Sequence, residues 1–292
     1  MKLGLIKKFF HIELNEIYPS EEIDTFFNWL CEDYLGYKPH QIQQFLEEDV
    51  SSEVGYKFDS ALGDLVNERP IQYIIGKSYF YGLDFRVNEH TLIPRPETEE
   101  LVSWIINDID KDSVTRVLDI GTGTGCIPIS IAKNLPRTKL FAVDISYEAL
   151  QTASLNAEDQ GVNINFYQQD ILKANDLETI FEELPTFDVI VSNPPYVRNL
   201  EKTEIKNNVL NYEPSSALFV EDDDALVFYE KIAGLASENL KEGGKLYFEI
   251  NQYLGDEMLA LMKKYNFENV ILKKDLYGKD RMIMGQKPVI SA

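Results

Sequence analysis

Val117-Leu118-Asp119-Ile120-Gly121-Thr122-Gly123-Thr124-Gly125 is a short apolar run that stops on three glycines set two apart. An apolar run bounded by glycine reads as a buried strand. The glycines permit a tight turn and close backbone approach by a ligand, so the segment leaves a strand and enters a helix. Working outward, Lys139–Asp144, Ile164–Asp170, Phe187–Ser192 and Gly244–Ile250 are further strand-like runs, with two more near Asn269–Lys273 and Arg281–Gly285. From about residue 98 onward these runs alternate with helical stretches. Such alternation predicts an α/β domain on a mostly parallel sheet.

Upstream the character changes. Ser78-Tyr-Phe-Tyr-Gly-Leu-Asp-Phe-Arg-Val87 is aromatic with Gly82 at its middle, which predicts a β-hairpin. In Leu92-Ile93-Pro94-Arg95-Pro96-Glu97-Thr98-Glu99 two prolines fix an extended stretch ahead of a helix whose first turn is Glu97–Glu100. Residues 1–75 read as helical. Ile12, Leu14 and Ile17 recur at helical spacing, as do Ile23, Phe26, Phe27 and Leu30. Ile42, Phe45 and Leu46 form another stripe, and Phe58, Leu62, Leu65 and Val66 a last one, ended near Arg69-Pro70. Ser20, ahead of Glu21 and Glu22, is the expected N-cap of one of these helices. Three parts are therefore expected: a helical partner-recognition domain over 1–75, a β-hairpin linker over 76–97 and an α/β domain over 98–292.

The chain has 292 residues, 44% hydrophobic and 26% charged, which is ordinary globular composition. At this length roughly three quarters of the unfolded surface is buried, so neither disulfides nor metals are needed as staples. Lys and Arg number 28 against 49 Asp and Glu, a net charge of −21. Nucleic-acid binders carry a basic footprint, so DNA or RNA is disfavoured as a stable partner. A basic protein partner suits the field; acidity that serves only solubility is the other reading. Asp222, Asp223 and Asp224 with Glu221 read as a solvated loop. Cys31 and Cys126 lie far apart, with no zinc spacing, and fit reduced thiols in the cytoplasm. No apolar run reaches the ~18 residues of a membrane span. Lys7, Lys8, His11 and Glu13 interrupt the first apolar segment, which makes it a poor signal peptide. The expectation is a soluble cytoplasmic protein with no membrane partner.

The glycine loop is GxGxG, not the GxxxxGK[ST] of a phosphate-binding loop, nor a full GxGxxG dinucleotide fingerprint. Asp144 ends the next strand, 19 residues after Gly125, where an acid can accept hydrogen bonds from a ribose diol. Together they point to an adenosine-containing cofactor, either NAD or S-adenosyl-L-methionine, with a purely structural strand–turn–helix as the alternative. Asn193-Pro194-Pro195-Tyr196 follows the fourth strand. Two prolines stiffen the backbone and remove two N–H donors. Asn193, the Pro194 carbonyl and Tyr196 then form a rigid acceptor-rich corner, suited to a planar –NH2 group conjugated to a π system. A plain loop breaker is the alternative, disfavoured beside the glycine loop and Asp144.

Asp119–Gly125, Asp144 and Asn193–Tyr196 resemble the class I S-adenosylmethionine-dependent amino-methyltransferases. Pro70-Ile-Gln-Tyr-Ile-Ile-Gly76, Phe80-Tyr-Gly-Leu-Asp-Phe85, Leu92–Glu99, Tyr212-Glu-Pro-Ser-Ser-Ala-Leu218, Gly243–Ile250 and Asp275-Leu-Tyr-Gly-Lys-Asp-Arg281 are similar to the peptide chain release factor N5-glutamine methyltransferases, the HemK/PrmC family. The resemblance covers about residues 60–287. It implies a Rossmann-like class I methyltransferase domain, with an antiparallel strand among the last two, behind a small N-terminal helical domain and a β-hairpin linker. It implies methylation, from S-adenosyl-L-methionine, of the glutamine side-chain amide in the Gly-Gly-Gln motif of class-one release factors. Carried onto these positions, Gly121, Thr122, Gly123, Thr124, Gly125, Asp144, Asp170, Ile171 and Asn193 would hold the cofactor; Asn193, Pro194, Pro195 and Tyr196 would act on the substrate, with Tyr196 packing on the amide plane. No metal is implied.

Two departures from the family pattern matter. Asp170 is followed by Ile171 where an aromatic residue is common, so adenine contacts there are expected to be apolar. The pattern Glu-Ile-Gly-x-x-Gln reads Glu249-Ile250-Asn251-Gln252 here, which removes the basis for a role of Gln252. Arg95 and Glu97 either guide a ligand or form a helix-start salt bridge, and Glu249 reads as a strand cap. Cys126 reads as a small apolar filler, Trp29 and Trp104 as core, and Phe80 and Phe85 as hairpin packing. Two rival functions share parts of the pattern: an N6-adenine methyltransferase, against which the charge speaks, and a protein-binding module that keeps cofactor binding, against which an intact Asn193 and Tyr196 speak.

Overall fold

A computed structural model of the chain describes residues 1–177, 180–181 and 186–289. The fold divides into two compact units, Met1–Lys77 with Lys206–Tyr212, and Ser78–Ile205 with Glu213–Ala292.

The first unit holds helices α1 (Leu3–Leu14), α2 (Ser20–Leu35), α3 (Ile42–Phe45), α4 (Ser52–Val66) and α5 (Ile71–Ile75). Apolar residues at helical spacing bury one stripe of each. In α1 the stripe is Leu3, Ile6, Phe10 and Leu14, so Ile12 on the other face is exposed, and Ile17, in the turn after the helix, is exposed as well. Val66 and Trp29 are also exposed, because α4 turns Phe58, Ala61 and Leu65 inward and α2 turns Ile23, Phe26, Phe27, Leu30 and Cys31 inward. Phe10, Phe27 and Phe58 meet at the centre with ring centroids 5.7–6.1 Å apart. Ser20 is not a cap: it is the first helical residue, behind Pro19. The capping serine is Ser51, whose Oγ accepts from the Val54 amide at 3.2 Å.

The second unit opens with the hairpin of β1 (Lys77–Phe80, which begins one residue before it) and β2 (Leu83–Arg86), then α6 (Pro96–Asp108). Next come β3 (Arg116–Ile120), α7 (Cys126–Asn134), β4 (Lys139–Asp144), α8 (Tyr147–Gln160), β5 (Ile164–Gln168) and β6 (Phe187–Ser192). A short pair, β7 (Val197–Arg198) and β8 (Phe219–Val220), flanks α9 (Asn207–Tyr212), which belongs to the first unit: Asn207 donates to Glu68 at 3.1 Å and the Tyr212 hydroxyl to the Asn67 carbonyl at 2.7 Å. The chain ends with α10 (Val227–Asn239), β9 (Leu240–Glu249), α11 (Gly255–Lys264), β10 (Glu268–Lys274) and β11 (Asp280–Gln286).

Among the described residues the main sheet has seven strands, in the order β10-β11-β9-β6-β3-β4-β5. Pairing is parallel from β9 through β5 and antiparallel on both sides of β11, so the final strand inserts between β9 and β10. Strand alternation fills a core on each face. Val117, Val191 and Tyr247 face one core with α6 and α7; Leu118, Ile120, Leu246 and Phe248 face the other with α10 and α11. The order runs outward from β3 in both directions, and ligands in open α/β sheets bind beyond the carboxyl ends at such a switch.

Three packing features shape that end of the sheet. Gly125 has φ +78, and an added Cβ would stand 3.0 Å from Ile129 Cδ1 and 3.1 Å from Ala153 Cβ, so this glycine lets α7 and α8 close on the loop. Buried Asn156 of α8 ties the hairpin to the same loop, donating to the carbonyls of Arg86 and Thr124 and accepting from the Arg86 amide at 2.7 Å. Phe80 and Phe85 are buried edge-to-face at 5.9 Å, and Trp104 packs edge-to-face on Tyr247 at 5.4 Å.

Gly125→Ala is expected to destabilise the second unit by about 1–3 kcal/mol, the range for a strained backbone position. A urea midpoint unchanged from wild type would show that the loop can relax around a Cβ.

Candidate active site

Beyond the carboxyl ends of β3, β4 and β6 lies a cavity of about 380 Å³. That size suits a small-molecule ligand. Gly121, Thr122, Gly123, Thr124, Asp144, Asp170, Ile171, Asn193, Pro194 and Pro195 all line it. Gly125 lies behind the wall, packed against α8, and Tyr196 is also off the wall, its ring against the core under α10 and α11.

The glycine loop is pinned by its own amides. Gly121 and Thr122 both donate to the Val143 carbonyl, at 2.8 and 3.1 Å, and Gly125 donates to Thr122 at 2.9 Å. Gly123 donates to Asp144 Oδ2 at 2.8 Å, while Ser146 donates to Asp144 Oδ1 at 2.9 Å. These four loop amides are thus engaged and do not form a cradle for a pyrophosphate. Each Asp144 oxygen keeps a further lone pair, the capacity a ribose diol requires. Burial raises the Asp144 pKa, and the amides of Ser146 and Gly123 oppose that shift.

The third strand stops at Gln168, and Asp170 instead caps a 3-10 turn, accepting from the Leu172 amide at 3.1 Å and pairing with Lys173 at 2.9 Å. Asp119 lies under the loop. Its two oxygens and the Thr122 hydroxyl are buried without a hydrogen-bond partner among the described residues. Asp144 and Asp170 put acidic side chains on the cavity wall, which favours a cationic ligand over an anionic dinucleotide.

The acceptor corner is held from below by Glu249, the last residue of β9. Thr98, in the first turn of α6, donates its hydroxyl to Glu249 Oε2 at 2.6 Å, and the Tyr196 hydroxyl donates to Glu249 Oε1 at 3.1 Å. Asn193 Nδ2 donates to Thr98 Oγ1 at 3.3 Å. Glu249 is 1% exposed; burial raises its pKa, opposed by Thr98, Arg281 and Tyr196. Its role is larger than a strand cap. Asn251 donates to the Tyr196 carbonyl at 2.9 Å and to buried Glu201 at 2.8 Å, tying the corner's far end. The Tyr196 hydroxyl is thus engaged inward, drawn by a buried carboxylate with room for two donors.

Arg95 forms no salt bridge at its own helix start. It pairs with buried Glu213, which also accepts from the Ile93 amide at 3.1 Å and so holds the proline-rich strap beside the cavity. Cys126 is buried and its thiol is pushed up to about 12 by burial, in keeping with a filler. Thr98 and Glu213 were given no role from sequence, and Asn251 stood out only as a departure from the family pattern. The available signal was a polar residue abutting an apolar run, as in Leu246-Tyr-Phe-Glu249, where no solvent is at hand. No group of metal-ligating residues occurs among the described residues, and no helix there is long and apolar enough to cross a membrane.

Burial pushes Asp119 up to about 7, with the Asp144 charge adding to the effect. The folded protein then retains a proton that the unfolded chain loses near its ordinary value of 3.8. The contribution of Asp119 to stability is full below about pH 4 and is lost as pH rises through about 7. Asp119→Asn is expected to flatten that fall. Thermal melts at pH 5 and pH 8 check it: an equal drop in both proteins would place the titrating group elsewhere.

The family model for the methyltransferase small domain matches residues 101–216, and that for the PrmC N-terminal domain matches residues 9–76. The release factor glutamine methyltransferase of Flavobacterium psychrophilum is 52% identical over 275 residues, 92% of this chain and 94% of that protein. Its namesake from Bacteroides thetaiotaomicron is 42% identical over 285 residues, 98% of this chain and 100% of that protein. A methyltransferase from Pyrococcus furiosus shares the fold, with a TM-score of 0.51 at 18% identity over 82% of this chain and 100% of that one. With such identity along nearly the whole of both chains, this protein belongs to the release factor glutamine methyltransferase family, the protein-(glutamine-N5) methyltransferases.

Proposed function

We propose that this enzyme moves the methyl group of S-adenosyl-L-methionine onto the side-chain amide nitrogen of the glutamine in the Gly-Gly-Gln motif of class-one peptide chain release factors. The observation that carries this reading is the juxtaposition, on one cavity wall, of Asn193, Pro194 and Pro195 with the glycine loop and Asp144. The residues fit the cofactor: the loop amides are unavailable to a pyrophosphate, the carboxylates favour a cation, and Asp144 keeps lone pairs for a diol. Gly121–Thr124 would face the methionine part, with Gly125 shaping the loop from behind, Asp144 would face the ribose, and Asp170 with the apolar Ile171 the adenine. When bound, the cofactor supplies an electrophilic methyl carbon on a positively charged sulfur.

The chain's own residues then have one task, because an amide nitrogen is a poor nucleophile whose lone pair is delocalised. No side chain of the corner deprotonates it at neutral pH, so catalysis rests on positioning and electrostatics. Asn193 Oδ1 and the Pro194 carbonyl accept the two N–H bonds and leave the nitrogen lone pair aimed into the cavity. The same oxygens face the positive charge that develops on nitrogen. After transfer the nitrogen carries a surplus proton and is strongly acidic, so it needs no dedicated strong base. The acidic surface suits a protein partner rather than a nucleic acid or membrane, and a release factor as substrate would have the enzyme act in the cytoplasm. We assign recognition of the release factor to the helical domain of residues 1–75, joined through the 76–97 hairpin to the catalytic domain of 98–292.

Incubation with methyl-labelled S-adenosyl-L-methionine tests the reading. Label is expected on a class-one release factor and absent from its Gly-Gly-Ala variant and from DNA; label on DNA alone would overturn the substrate. Asn193→Ala is expected to lower the rate at least ~100-fold, the effect of one oriented polar group, with cofactor affinity by calorimetry unchanged. A near-normal rate would remove Asn193 from the reaction.

A further inference from the structure

We propose that Thr98 and Glu249 are positioning residues that fix which way the Asn193 carboxamide faces. The inference rests on the reading of Asn193 given above and extends it to Thr98, on the cavity wall, and to Glu249 behind it.

A carboxamide is nearly symmetrical in shape, and turning it over exchanges an acceptor for a donor. Only one orientation serves an incoming –NH2 group; the other sets N–H against N–H. The Asn193 backbone, stiffened by two prolines, does not decide between them, since the choice is a rotation of the side chain. Thr98 does. Its hydroxyl has a single hydrogen, and that hydrogen is given to Glu249 Oε2 at 2.6 Å. What remains on Thr98 Oγ1 is a pair of acceptor sites, so the end of Asn193 that lies 3.3 Å away is its NH2 and Oδ1 is turned away from Thr98. The order is set by Glu249, which stands between two hydroxyl donors, Thr98 and Tyr196, with Arg281 nearby. Thr98 and Glu249 are 3% and 1% exposed, so water cannot substitute for either bond.

Geometry also excludes a merely local purpose. Thr98 and Glu249 are 151 residues apart in sequence, and Thr98 and Asn193 are 95 apart. The relay therefore joins the first turn of α6, the end of β9 and the loop after β6. A strand cap would require only the first of these bonds.

The test uses the full-length enzyme with methyl-labelled S-adenosyl-L-methionine and a release factor, alongside spectra of asparagine-15N-labelled protein. Thr98→Val keeps the shape and removes the acceptor. It is expected to lower kcat about tenfold, with KM for the release factor and cofactor affinity within about twofold of wild type. Thr98→Ser restores the hydroxyl and is expected to restore kcat to within about threefold. Glu249→Gln, which keeps the volume but can place a donor against Thr98, is expected to lower kcat as Thr98→Val does. In the spectra, the Asn193 side-chain NH2 pair, identified by its loss in Asn193→Asp, is expected to shift in Thr98→Val and to stay in Thr98→Ser. An unshifted pair in Thr98→Val overturns the relay whether or not the enzyme labels the factor. A shifted pair with unchanged kcat overturns its relevance to transfer. Wild-type enzyme that labels no release factor refutes the substrate reading instead, and the spectra still decide the orientation of Asn193.

Discussion

Carboxylates buried at the edge of the cavity, each accepting donors from a distant segment, are what this site is built on. Asp144 takes the amides of Gly123 and Ser146, Glu213 takes Ile93 and Arg95, and Glu249 takes Thr98 and Tyr196. A buried carboxylate without donors is strongly unfavourable, so each of these acids demands that its partners stay in place. The demand has structural consequences. The glycine loop cannot drift from β4, the proline-rich strap cannot leave the cavity rim, and the loop after β6 cannot rotate away from α6. Asp119 is the exception, with neither oxygen paired among the described residues. Only the nearby Thr122 hydroxyl, among the described side chains, opposes the cost of its burial, which leaves it sensitive to the charge of whatever occupies the cavity above.

Reversal of strand order at β3 brings these acids together. Because β3 lies between β4 and β6, three loops converge at one end of the sheet, each beginning where a buried strand ends. Placing a polar group there requires only that it follow a run of β-branched or aromatic residues. The acceptor corner and the glycine loop therefore arise from the same strand-end geometry, and their relative position is set by parallel pairing of β3 to both neighbours.

Much of this was readable from residue order. Short apolar runs marked the strands, and three closely spaced glycines marked the loop, because both depend on local chemistry. What sequence did not disclose depends on contacts across the fold. Ile12 and Ile17 recur with Leu14, yet Ile12 stands two residues from both Phe10 and Leu14, on the opposite face of α1, and Ile17 lies beyond the helix end. Ser20 has the composition of a cap, but Pro19 already occupies that position, and a proline fixes φ without supplying a side-chain acceptor. Glu249 and Thr98 belong to segments that meet only after the sheet forms, so neither segment alone shows a pairing. The line Asn193–Tyr196 was visible as a rigid acceptor corner; the inward engagement of the Tyr196 hydroxyl was not, since its partner comes from β9.

Asn251 shows how such a site tolerates departure from the pattern it resembles. Loss of a glycine at this position would be serious if the backbone there needed a left-handed conformation, but Asn251 is not among the described non-glycine residues with positive φ. An ordinary side chain fits, and this one finds two acceptors: the Tyr196 carbonyl at 2.9 Å and Glu201 at 2.8 Å. Both acceptors lie on the stretch that follows the acceptor corner, and Glu201 is in turn paired with Arg198. The amide thus ties the exit of the corner to the end of β9, two residues beyond the carboxylate that ties its side chains. Rigidity at Pro194 and Pro195 would otherwise end at Tyr196. With Asn251 in place it continues to Glu201, and the corner is clamped at its side chains and its backbone by neighbouring residues of one strand end.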